Sequence, residues 1–95
     1  MKVRFSRRAQ TDLEALYSYL DEHAPAAAQA IKDLIERRLS LHAEFPRMAP
    51  ETDAPGVYEL SLVRYPYQIY YEIAGEEIWI LHVRDARRRP WDGGT

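Results

Sequence analysis

The sequence predicts a two-layer α+β domain over residues 1–95, with the element order strand, helix, helix, strand, strand, strand. In it an antiparallel helical hairpin covers one face of a small antiparallel sheet. Three observations predict this. Three runs of β-branched and aromatic residues follow one another between Val57 and Arg84, separated by breakers. Two stretches of helix-period apolar residues precede them, parted by His23-Ala24-Pro25. A short alternating segment opens the chain.

That opening segment, Met1–Phe5, alternates at Val3 and Phe5, enough for an edge or leading strand of the same sheet. Ser6 is a good N-cap for a helix over about residues 7–22. Ala9, Leu13, Leu16, Tyr17 and Leu20 recur at helical spacing, with Arg7, Arg8, Asp12, Glu14 and Asp21 on the other side. Pro25 suits the first turn of a second helix over about residues 25–44. Its apolar stripe reads as Ala28, Ile31, Leu34, Ile35, Leu41 and Phe45, and Pro46 stops it. The short break between the helices predicts an antiparallel pair. Residues 47–56, rich in proline, form an irregular connection.

The strands fall at about residues 57–64, 67–73 and 77–84, and a Gly-rich tail at 92–95 reads as loose. In the first, Tyr58, Leu60 and Leu62 share one face and Glu59, Ser61 and Val63 the other. Gly75 can supply the positive φ of a two-residue type II′ turn with Glu76. That turn sets Ile73 opposite Ile78, Tyr71 opposite Ile80 and Ile69 opposite His82 on the face the helices cover. Gln68, Tyr70 and Glu72 then face Val83, Leu81 and Trp79 on the second face. That second surface is amphipathic, and either a partner or the C-terminal tail covers it.

Composition narrows the function. The chain carries 13 basic and 15 acidic side chains, without the cationic excess of a non-specific nucleic-acid binder. It has no cysteine, hence neither disulfides nor thiolate metal sites. No apolar run approaches a membrane span, so the reading is a cytoplasmic protein with no membrane partner. His23, His42 and His82 lack ligand-spaced neighbours, and neither a metal nor another cofactor is expected. His23 and His42 read as surface or helix-terminal residues, and His82 as a hydrogen-bonded, partly buried one. No phosphate loop, nucleophile elbow or HExxH motif is present. The remaining feature is arginine: Arg84, Arg87, Arg88 and Arg89 cluster beside Trp91, and Arg64 ends the first strand of the meander.

The element order, the helix pattern Ala9…Asp12-Leu13…Tyr19, the strand Tyr67–Ile73 and the closing VRDARRRPW resemble the RelE/ParE superfamily of type II toxins, over nearly the whole chain. The resemblance implies a toxin neutralised by a cognate antitoxin encoded nearby. RelE-like members are ribosome-dependent endoribonucleases, and ParE-like members inhibit DNA gyrase. The RelE-like branch uses two lysines where this chain has Glu59 and Ser61, and an arginine where it has Gln68. Arg87 or Arg88 matches a further arginine, and Trp91 stands near the position of a tyrosine. Glu59 repels phosphate, and glutamine cannot replace the missing charge.

The resemblance therefore implies the ParE-like branch: a binding inhibitor of gyrase with no catalytic residues. Arg64, Arg84, Arg87, Arg88 and Trp91 are the expected target contacts. Leu13, Leu16, Tyr70, Trp79, Leu81 and Val83 are the expected antitoxin contacts. DNA is met only through the antitoxin. The alternatives are a divergent ribosome-dependent mRNA endoribonuclease and a non-toxic partner of a DNA-binding antitoxin.

Overall fold

The computed structural model describes residues 1–87. Strand β1 (Lys2–Phe5) leads into helix α1 (Arg7–His23), then α2 (Pro25–Glu44), β2 (Val57–Ser61), β3 (Tyr67–Ala74) and β4 (Glu77–Asp85). The element order is the one expected. Ser6 caps α1, its hydroxyl accepting from the Ala9 amide at 3.0 Å. Pro25 sits in the first turn of α2. β2 stops at Ser61 instead of running to residue 64. The chain reverses there, the Leu62 amide donating to the Tyr67 carbonyl.

The sheet has the strand order β1-β4-β3-β2 and is mixed, not antiparallel. Two antiparallel helices carry the chain out and back, so α2 ends where β1 began. The amino terminus donates to the Ala43 carbonyl at 3.0 Å, which marks that return. β2 therefore starts in the direction of β1, and after two hairpin reversals β4 runs parallel to β1. The Gly75-Glu76 turn is as predicted. Gly75 has φ 62°, and no non-glycine residue among those described has positive φ, the pattern of type II′ and not type I′. A second turn, Ala54-Pro55-Gly56-Val57, combines proline with Gly56 at φ 78° and closes from the Val57 amide to the Ala54 carbonyl.

The core lies between the helices and the sheet face carrying Tyr58, Leu60, Ile69, Tyr71, Ile78 and Ile80. Ala9, Leu20, Ile31, Ile35 and Leu39 close it from above. The α2 stripe departs from expectation beyond Ile35. Steps of four carry the inward direction through Leu39 and Ala43, and His42 joins it, while Leu41 and Phe45 turn outward.

His42 is thus a core residue, not a surface one. It is 2 % exposed, its ring edge-on to Tyr71. The Tyr71 hydroxyl, pushed up to about 12 chiefly by burial, donates its proton to the Pro46 carbonyl at 2.6 Å. It therefore accepts from His42 Nδ1–H at 3.2 Å, and His42 Nε2 is buried without a partner. Burial, helped by Arg38, holds the His42 pKa below its ordinary 6.5. The unfolded chain takes up a proton near that value and the folded chain only at lower pH. Stability is expected to be constant above the unfolded pKa and to fall as pH drops from there towards the folded pKa. Denaturation midpoints measured between neutral and mildly acidic pH check this. The slope in that window should shrink in His42→Gln.

Candidate functional site

The second sheet face is built by side chains that alternate away from the core: Glu59 and Ser61 on β2, Gln68, Tyr70 and Glu72 on β3, Trp79, His82 and Arg84 on β4. Its centre is a hydrogen-bonded network. Gln68 Nε2 donates to Glu59 at 3.1 Å, and Ser61 donates to the same carboxylate at 3.4 Å. Gln68 Oε1 accepts from Tyr70 at 3.2 Å and from the Arg84 guanidinium. Near the hairpin, Trp79 Nε1 donates to Glu77, whose other oxygen accepts from Arg4 at 2.7 Å. Arg4 holds the Glu77 carboxyl below its ordinary range.

The register agrees with expectation from the turn to Tyr71 and Ile80, then slips. Between Tyr70 and Tyr71 a bulge inserts Leu81, so Ile69 pairs with Val83 and Tyr70 with His82. The cause is a change of neighbour. β1 ends beside Ile80, and α1 takes over the edge of β4. Ser6 marks the handover, its amide donating to the Ile80 carbonyl and its hydroxyl to the Leu81 carbonyl. Nearly two turns further on, Asp12 accepts from the Val83 amide at 3.1 Å and from His82 Nδ1 at 2.6 Å. A helix side chain thereby replaces a strand as the partner of the β4 edge.

The bulge corrects two placements, and burial bears on a third. Val83, expected on the second face, lies in the core opposite Ile69. His82, expected on the helix side, is on the second face with its ring stacked on Tyr70 at 6.0 Å. Tyr70 is on the expected face but only 6 % exposed, so it offers little surface to a partner. Trp79 and Leu81 are half-buried.

A groove of about 760 Å³ opens between α1 and the end of β4. Arg8, Asp12, Leu16 and Tyr19 line it from the helix, and Tyr67, His82, Arg84, Asp85 and Arg87 from the sheet. Arg87 holds Asp85 through one edge of its guanidinium, Nε and Nη2 donating to the two carboxylate oxygens at 3.0 and 2.6 Å, and the pairing raises the Arg87 pKa. Arg84 and Arg87 are thus brought together. Arg64 lies in the turn between β2 and β3 at the same end of the sheet, where the Ala86 amide donates to the Pro66 carbonyl. Leu13 and Leu16 are half-buried and pack against the core, Leu16 also reaching the groove. Arg88 and Trp91 lie outside the described residues.

Sequence reading missed Asp12, Tyr19 and Tyr67 as groove residues. A signal existed, since Arg8, Asp12 and Tyr19 share one face of α1 at spacings of four and seven. Among the described residues no cluster of His, Asp or Glu has the arrangement of a metal site. No helix among them is long and apolar enough to cross a membrane.

Residues 3–90 match the model of the family described as the ParE toxin of type II toxin–antitoxin systems, parDE. No match is found among curated proteins. Among solved structures, a chain of the chromosomal ParDE toxin–antitoxin system of P. aeruginosa is 31 % identical, with a TM-score of 0.71 over 90 % of this chain and 95 % of that one. The intact RelBE toxin–antitoxin complex of E. coli contributes a chain 18 % identical, with a TM-score of 0.68 over 92 % of this chain and 98 % of that one. The isolated E. coli RelE toxin is 17 % identical, with a TM-score of 0.68 over 93 % of this chain and 86 % of that one. The two RelE likenesses bear on the fold alone. Family match and ParDE likeness together assign the molecule: this chain belongs to the ParE toxin family of type II toxin–antitoxin systems.

Proposed function

We propose that this toxin inhibits DNA gyrase by binding it and blocking or trapping its DNA-cleavage step, and that a cognate antitoxin neutralises it. The observation that carries the choice of target is the centre of the second sheet face. There Glu59, held by Gln68 and Ser61, places a carboxylate where cleavage of RNA requires cations on the phosphate. Such a surface repels an RNA backbone but does not hinder protein binding. Kinship to the ParDE system supports the same reading.

Arg64, Arg84 and Arg87, gathered at one end of the sheet, are the proposed target contacts, with Arg88 and Trp91 following them in sequence. Trp79 and Leu81 on the second face and Leu13 and Leu16 on α1 are the proposed antitoxin contacts. Val83 and Tyr70 are too buried to serve. DNA is contacted through the antitoxin.

Supercoiling of relaxed plasmid by purified gyrase tests the proposal. Inhibition is expected, and it should weaken several-fold in Arg64→Ala and Arg87→Ala, whose side chains are exposed and carry little of the fold. Full gyrase activity at large toxin excess would reject the target. Codon-phased cuts in translated mRNA would replace it with the ribonuclease reading. Harmless overproduction without antitoxin would favour the non-toxic partner.

A further inference from the structure

Leu41 and Phe45, which point away from the core at 37 and 54 % exposure, are not isolated. Met48 follows them at 52 % exposure, its amide donating to the Phe45 carbonyl. At 100° per residue, Ala30, Arg37, Leu41 and Glu44, all exposed, form one stripe on the outer side of α2, spaced seven, four, three. That is the seam spacing of paired helices. Arg38 is set apart from the stripe, half-buried, its Nε buried without a hydrogen-bond partner among the described residues.

The charges on this stripe are arranged head to tail: Arg37 before Leu41, Glu44 after it. A two-fold axis through Leu41 reverses the second helix. Arg37 lies about 6 Å along the axis from Leu41, and Glu44 about 4.5 Å on the other side. The reversal therefore brings Arg37 within about 1.5 Å of the level of the second copy's Glu44, twice over by symmetry. Leu41 meets its own copy between them, and Phe45 and Met48 flank the contact. The surface is complementary to itself, in shape of repeat and in sign of charge.

We infer that the occupant of this face is a second copy of the toxin, docked antiparallel through α2. The inference is independent of the gyrase proposal, because α2 contributes nothing to the arginine-bearing end of the sheet.

Sedimentation of the purified toxin across micromolar to high micromolar concentration tests it. The wild type is expected to dimerise reversibly. Arg37→Glu places acid against Glu44, and Glu44→Arg places base against base. Each variant alone should weaken self-association at least about tenfold. Mixed together, the two variants should recover it, since only the hetero pair matches in sign. Because these residues are at the surface, circular dichroism should be unchanged. A wild type that stays monomeric throughout, or variants that associate like the wild type, would overturn the inference. So would loss of antitoxin binding in Leu41→Asp with no change in toxin self-association, which would assign the face to the antitoxin.

Discussion

Tyr71→Ala is expected to destabilise the fold by about 3–5 kcal/mol, enough to leave a domain of this size largely unfolded. The side chain is fully buried at the middle of the sheet. Its ring stacks on Tyr58 at 5.5 Å and meets the edge of His42 at 5.8 Å, so removal opens a cavity walled by two large rings. The hydroxyl adds a polar term, because it bridges the Pro46 carbonyl and His42 Nδ1. Tyr71→Phe separates the two contributions. It keeps the packing, orphans His42 Nδ1 and the Pro46 carbonyl, and should cost about 1–3 kcal/mol. Urea denaturation followed by circular dichroism reads both. If Tyr71→Phe matched Tyr71→Ala, the cavity would not be the dominant effect; if both were near wild type, the core would be misassigned.

The second large effect is expected at Asp12, which looks like an ordinary surface carboxylate in the helix pattern. It accepts from two donors on β4 at once, the Val83 amide and the His82 ring. Its side chain is 21 % exposed and that of His82 9 %, so the pair sits in a largely dry environment. Asp12→Ala removes the acceptor from both donors and should cost about 2–4 kcal/mol. Asp12→Asn retains one carbonyl oxygen and should lose roughly half as much. Amide hydrogen exchange gives the local readout: protection at Val83 should fall in Asp12→Ala before the centre of β3 is affected. Unchanged protection there would show that α1 does not hold the edge of β4. The same variant should loosen the groove whose far wall carries Arg84 and Arg87, and so weaken any partner docked at that end.

The two cases mark where sequence is legible. Tyr71 falls where the pattern puts it because the Gly75-Glu76 turn fixes the register of the nearest residues, and Ile73, Tyr71, Ile78 and Ile80 follow from strict alternation. Val83 and His82 lie on the faces opposite to those the alternation predicts because one inserted residue, Leu81, exchanges every later side chain between faces. Nothing in the local pattern announces that insertion. It arises where β4 leaves β1 and meets α1, a contact between residues some seventy positions apart. On α2, an apolar pattern selects Leu41 and Phe45 and passes over His42, the residue that is buried. Helical geometry preferred the inward angle to the more apolar side chain, and the Tyr71 hydroxyl made burial of His42 tolerable.

Element order, both helices, the II′ hairpin and the carboxylate on the second sheet face were determined by the sequence alone, because each depends on neighbours a few residues apart. The tertiary structure decided the parallel pairing of β1 with β4, the bulge, the burial of His42 and the outward turn of Leu41 and Phe45. Those outcomes depend on which distant surface each backbone edge and each helix face meets, and a chain commits to that only once it has closed on itself.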